Sequence, residues 1–598
     1  MPQHDSTQAT VTQQQVARAV AVAAGREPAD LLLRNARIVN VITMETCPGS
    51  VAVAGPLIAG AGPAFNDSEA ITSVDLEGRA LSPGLIDGHL HIESSLVTPA
   101  AYAEAVAPRG VTSLIWDPHE IANVSGDAGL QWCIRSASGA PMNIWIGLPS
   151  CVPSTTLETA GAVLGVDELA RLLDNPAVIG VGELMSYPAV IAGDRATLAK
   201  AFLGDRHRKV VDGHCPGITG RALNAYFASG VGSDHESTEL EEAREKLRAG
   251  AFLMIREGSA TRNLAALLPL LTPATADRIG FVTDDRLPTD LLREGGVDDL
   301  VRKAITAGVA PELAIRAASW NTARYFGLAR RGAVAPGYFA DLVVFSDLEG
   351  FRALDVYRNG ELIARNGVLQ TRFDPQSGDA DAAASAVMNS VKLPDLTIEH
   401  LRTPAPVKES EVRCIQPVAN QILTREVRLK PTVRDGSIIA DPDRDIARLV
   451  CVERHGKHGR IGVGLVTGLG IRRGAIAGTV AHDHHNVLAA GISDHDILTA
   501  VRRLGELGGG FVVAADGTVI AELALPIAGL LSQRPLAEVE SLMRDVDRAA
   551  AGLGVSIPAP FMTLSFLGLP VIPELRLTDH GLVDVCAGAV VPLAVEPS

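Results

Sequence analysis

Eight short apolar runs separated by helix-like stretches occupy residues 81–330. They are Leu81–His91, Val111–Asp117, Met142–Ser150, Ala177–Met185, Lys209–His214, Gly230–Glu236, Phe252–Gly258 and Ile279–Asp285. Regular alternation of strand-like and helix-like segments is the pattern of parallel strands joined by crossover helices. Eight such units over roughly 250 residues predict an α/β protein built on a closed (β/α)8 TIM-like barrel rather than an open sheet.

The flanks carry a different pattern. Between 30 and 80, β-rich runs such as Leu31–Val41 and Gly49–Val53 are punctuated by Gly and Pro. A matching set returns at Ala340–Phe345 and Val356–Arg365. Segments 30–80 and 331–370 are therefore expected to pair into one small composite β-sandwich domain. Residues 371–394 are rich in Ala, Asp and Ser and read as a linker. Residues 395–598 form a predicted C-terminal α+β domain, with a hairpin over Asp516–Gly517 and a helix over Leu536–Ala550. The N-terminal extension, 1–29, is polar through Gln15, and its apolar stretch Val16–Ala24 is broken by Arg18. It reads neither as a signal peptide nor as a membrane span, which places the chain in the cytoplasm.

Composition narrows the partners. A formal net charge of −16 gives no electrostatic reason to bind nucleic acid or an anionic membrane. The seven cysteines form no CxxC pair and read as scattered core thiols of a reducing compartment. The glycines between Gly462 and Gly478 make neither a phosphate loop nor a dinucleotide fingerprint. A small molecule is the expected ligand.

The candidate chemistry lies at the ends of the apolar runs, because a barrel of this type presents its reactive face at the C-terminal ends of its strands. The first run ends in His89–Leu90–His91, the second in Asp117–Pro118–His119–Glu120 and the fourth in Gly182–Glu183. His214 ends the fifth, His235 the sixth, Arg256–Glu257 the seventh and Asp284 the eighth. With a strand period of two, His89 and His91 share a face and can hold one ion together. Nitrogen and oxygen donors without thiolate suit Zn²⁺, Mn²⁺ or Fe²⁺. Two readings stay open for Asp117, His119 and Glu120: contacts to substrate, or the capped start of a helix. Arg256 and Glu257 are expected to be a structural ion pair. His482–Asp483–His484–His485–Asn486 is the densest histidine cluster and is expected to be a solvent-facing loop, with metal binding or closure over the barrel as the alternatives.

The motifs PGLIDGHLHIE, HCPG, SDHE and TDDR resemble the amidohydrolase superfamily. WDPHEIANVSG, LPSCVPST, GELMSYPAVI, IREGSATRNL and TDDRLPTDLL are similar to its adenine deaminase family, and so are AGTVAHDHHN and ALPIAGLLS in the second unit. The resemblance implies a binuclear centre held by His89, His91, Glu183, His214, His235 and Asp284. Manganese or iron is expected there, with zinc as the other option. Glu183 replaces the carboxylated lysine that bridges the metals in many relatives. The implied reaction is hydrolytic deamination of adenine to hypoxanthine and ammonia, with hydroxide from a metal-bridging water attacking C6. Asp284 is the implied proton shuttle or else only a ligand. Glu183, His119 and Glu120 complete the implied catalytic set, and Asp117, His119 and Glu120 the substrate contacts. A homo-oligomer, dimer or larger, is expected, although no interface is legible.

Three other readings compete with this one. Another cyclic amide, amidine or aminated heterocycle fits the same barrel, since substrate choice lives in loops. A non-catalytic binding module is disfavoured because every ligand position is occupied by a competent group. A cytosine-type zinc deaminase needs PCxxC, which the sequence lacks.

Overall fold

The computed structural model describes residues 11–370, 382–406, 410–418 and 421–595. Its central region holds eight short strands: β1 (Leu85–Leu90), β2 (Val111–Trp116), β3 (Asn143–Leu148), β4 (Val178–Leu184), β5 (Val210–Gly213), β6 (Ser233–Asp234), β7 (Phe252–Arg256) and β8 (Ile279–Val282). Strands β1 to β5 pair in parallel in chain order, and β6 to β8 do the same. Gly232 N donates to Val211 O at 3.0 Å between β5 and β6, and Asp284 N donates to His89 O at 3.0 Å beside the end of β1. Every residue of β1, β2, β3, β7 and β8 is buried. Burial on both faces is why these segments read as continuous apolar runs instead of alternating ones.

Most strands are shorter than the runs that predict them, and the first run divides in two. Ala80–Pro83 pairs antiparallel with Leu342–Phe345 in a neighbouring sheet, and only Leu85–Leu90 belongs to the central strands. Gly84 lies between the two strands, where a Cβ would stand 2.1 Å from Thr112 Oγ1. The neighbouring sheet links nine strands from 29–83 and 342–369 into one hydrogen-bonded assembly. Helix Gln13–Ala23, capped by Thr12, buries Ala19 and Val22 against it, so this part of the N-terminal extension packs on the sheet.

Beyond residue 381 an eight-stranded, mostly antiparallel sheet is flanked by two three-stranded sheets. Gly510–Ala515 and Thr518–Ala524 form the expected hairpin, with Asp516 and Gly517 both at positive φ. Helices Asp494–Leu507 and Leu536–Gly552 belong to the same unit. The linker expected at 371–394 lies partly outside the described residues, at 371–381. The rest is not a linker: Ala382–Val387 is helical, and Ala384 and Val387 are buried in the main apolar core. Alanine-rich sequence favours a helix as readily as a spacer once an apolar surface is available. Five cysteines are buried, as expected, but Cys586 is exposed and Cys47 half-buried. Among the described residues no helix is long and apolar enough to cross a membrane.

Candidate metal centre

The C-terminal ends of the central strands converge on one buried cluster of imidazoles and carboxylates. His89 lies within β1 and His91 one residue past it, their ring centroids 4.9 Å apart. Glu183 is near the end of β4, while His214 and His235 directly follow β5 and β6. Asp284 follows β8 with a left-handed backbone, φ 57°, that non-glycine residues seldom adopt. The Asp284 N to His89 O bond and that from His91 N to Asp284 O, 3.4 Å, hold it there.

The donor atoms are spaced as ligands are. His91 Nε2 is 3.1 Å from Asp284 Oδ1 and 3.5 Å from Glu183 Oε1. His89 Nε2 is 3.6 Å from Asp284 Oδ1, and His235 Nε2 is 3.4 Å from Glu183 Oε2. Atoms each about 2.0–2.2 Å from one cation stand at such separations from one another. His214 Nδ1 is closer to Glu183 Oε2, at 2.6 Å. His89, His91 and Asp284 form one possible ligand group, and His89, Glu183 and His235 another. All six residues expected to ligate are therefore brought together.

Two features show that a divalent cation fits. His89 Nε2, which faces Asp284, is buried without a hydrogen-bond partner among the described residues. His91 Nδ1 donates to the Asp117 carbonyl at 2.8 Å, which leaves the Nε2 lone pair facing Asp284 and Glu183. Burial opposes ionisation of Glu183, yet His214 and His235 hold its carboxyl well below the usual range. Burial likewise opposes ionisation of Asp284, and the Arg256 guanidinium, with His91 and His235, holds its carboxyl well below the usual range.

Asp117 supports this cluster from behind. Its Oδ2 accepts from Glu183 N at 2.8 Å. The helix His119–Gly139 starts after Pro118 with no side-chain cap, so the helix-capping alternative for Asp117 is not what the structure shows. His119 sits between two carboxylates, its Nδ1 3.3 Å from Glu183 Oε1 and its Nε2 3.3 Å from Glu120 Oε1.

Residues 80–363 match the amidohydrolase family, and residues 421–588 match the adenine deaminase C-terminal domain. Adenine deaminase 2 of Carboxydothermus hydrogenoformans is 48% identical over 577 residues, covering 96% of this chain and 99% of that protein. Adenine deaminases of Dehalococcoides mccartyi and Desulfatibacillum aliphaticivorans are 45% and 44% identical, covering 97% and 95% of this chain and 99% and 97% of their own lengths. The chain belongs to the adenine deaminase family.

Part of this family member's site was missed from sequence. Arg256 is not paired with Glu257: its guanidinium binds Glu236 and, at 2.9 Å, Asp284 Oδ2, while Glu257 pairs with Lys303 at 3.1 Å. Arg256 is the last residue of β7 and Glu257 lies just past it, and the two side chains find different partners. Glu236, one residue past His235, lies 3.4 Å from His235 Nε2 and was already present in the SDHE motif.

The larger correction concerns the C-terminal domain that marks the family. His482, Asp483, His484, His485 and Asn486 are all buried, not solvent-facing. His482 Nδ1 donates to Glu120 Oε1 at 2.6 Å, and His485 Nε2 abuts Glu120 Oε2. His484 Nδ1 lies 3.1 Å from Glu158, and Asn486 Nδ2 donates to Thr159 O at 3.0 Å. Buried imidazoles need polar partners, and these come from a helix start and a loop of the central region more than three hundred positions away, which no local pattern reveals.

Proposed function

We infer that this chain hydrolyses adenine to hypoxanthine and ammonia at a binuclear divalent metal centre held by His89, His91, Glu183, His214, His235 and Asp284. The carrying observation is that these six side chains meet with ligand spacing, in a chain similar to adenine deaminases over nearly its whole length. Two divalent cations bound there would lower the pKa of a shared water and supply hydroxide near neutral pH.

The chain's own residues account for the rest. Asp284 is tied through Oδ2 to Arg256, which leaves Oδ1 directed at His91 and His89. In that position it takes a proton from the attacking water and passes it to the amino group on C6, which departs as ammonia. Attack at C6 breaks ring conjugation, so a ring nitrogen must be protonated too. His119, between Glu183 and the Glu120 carboxylate, is the group proposed to hold that proton, with Glu120 orienting it, and Asp117 fixes Glu183 and His91 for the attack.

The eight parallel strands are read as a closed (β/α)8 barrel, supported by the bonds between β5 and β6 and between Asp284 and His89. The nine-stranded sheet is read as a sandwich curled around Leu33, Ile38, Val51, Leu81 and Leu342, which share one apolar cluster. The units are taken as 29–83 with 331–370, 84–330, and a C-terminal unit from 382. Purified protein loaded with Mn²⁺, Fe²⁺ or Zn²⁺ will release ammonia from adenine in step with its metal content. Loaded protein that leaves adenine untouched and turns over a cyclic amide would replace this reading with that substrate class.

A further inference from the structure

Glu120 is where the two large units of the molecule meet. It is buried at the start of helix His119–Gly139, yet three imidazoles surround its carboxylate: His119 from its own side, and His482 and His485 from the C-terminal unit. Among the described residues the Glu120–His482–His485 group also has the composition of a metal site, but its protons argue otherwise. Ala481 N donates to His485 Nδ1 at 3.1 Å, so Nδ1 carries the lone pair and the neutral ring bears its hydrogen on Nε2, toward Glu120. His482 Nδ1 stands at 2.6 Å from Glu120 Oε1, the length of a charge-assisted hydrogen bond.

The same carboxylate faces a cavity between the units. Glu120, His482 and His485 line its polar end, with Ser94 and Leu287 from the central region and Phe561 from the C-terminal unit among its other walls. His119 joins Glu120 to Glu183, its Nε2 3.3 Å from Glu120 Oε1 and its Nδ1 3.3 Å from Glu183 Oε1. A flexible glutamate in that place has several rotamers, and two donors on its two oxygens select one.

We propose that His482 and His485 are positioning residues of the active site, supplied by the C-terminal unit, which hold the Glu120 carboxylate in the orientation that meets the heterocyclic substrate and His119. This deepens the adenine reading above and rests on it for the substrate. Burial opposes a negative Glu120, but His482 and His485 draw its carboxyl well below the usual range. Burial pushes His485 down to about 4, in keeping with a neutral donor ring.

The test joins a spectroscopic and a kinetic readout on the full-length protein. In zinc-loaded, ¹⁵N-histidine-labelled protein, His482 Nδ1–H and His485 Nε2–H will appear as protected protons, identified by their loss in H482N and H485Q, and both will shift in E120Q. On adenine, H482A and H485A will lower kcat/KM about 10–100-fold at unchanged metal content, the usual cost of removing an orienting partner. H482N and H485Q, whose amide nitrogens take the places of Nδ1 and Nε2, will recover much of that loss. Protons that ignore E120Q, or alanine variants with wild-type kcat and KM, overturn the assignment. A wild-type chain inactive on adenine counts against the substrate reading instead, and the proton spectrum still decides whether the two imidazoles hold Glu120.

Discussion

Asp284 combines a left-handed backbone with a carboxylate shared between Arg256 and the imidazoles of His89 and His91. Strain of this kind, of order 1–3 kcal/mol, persists only where surrounding contacts over-determine it. D284N keeps the size and one oxygen but removes the proton acceptor. Its kcat is expected to fall about 10²–10⁴-fold, read from ammonia release per metal-loaded site. Asp547, on helix Leu536–Gly552, tests the cost of a carboxylate without such partners. Burial pushes its carboxyl up to about 6, and its Oδ1 has no hydrogen-bond partner among the described residues. The folded chain therefore holds this proton more tightly than the unfolded chain, whose carboxyl titrates near 3.9. Stability falls as pH rises from about 4 through 6 on this account. D547N removes the penalty, so it should stabilise by about 1–2 kcal/mol above pH 7, after allowing for partial solvent screening. The gain should fade toward pH 4, which thermal melts across that range will show.

Among the elements, the strand ends do the placing, and glycines set how closely they approach. A Cβ on Gly182 would come within 2.1 Å of Asp117 Oδ2, the atom that accepts from Glu183 N at 2.8 Å. G182A should push Asp117 off that bond and weaken metal retention about 10–100-fold, measurable by titrating apoprotein with Zn²⁺ against a competing chelator. The strands themselves were legible because burial on both faces leaves an apolar run that few other structures produce. Their limits were not. The run Leu81–His91 serves two sheets, since hydrophobicity marks burial without saying in which sheet. The helix Ala382–Val387 was taken for part of a linker because its composition suits either.

Over the whole molecule, one continuous apolar cluster reaches from Val39 to Leu582, so the central and C-terminal units share a core. Cations bound only by the folded state add stability by mass action, about 4 kcal/mol when the free ion stands at a thousand times its Kd. Dialysis against a chelator should abolish deamination and lower Tm, and added Mn²⁺ should restore both. Activity that survives complete metal removal would refute the metal reading.

The sequence by itself determined the alternation of strands and helices, the hairpin at Asp516–Gly517 and the gathering of histidines and carboxylates at the ends of the apolar runs, from which the family resemblance implied the six candidate ligands. Each of these depends on short-range order: a residue's place at the end of an apolar run decides which face it joins. Tertiary structure alone decided the partners of Arg256 and the burial of His482 and His485 against Glu120, 362 positions from His482. Contacts across that distance arise from how two units dock, and docking depends on the summed shape of both surfaces, which no local spacing encodes.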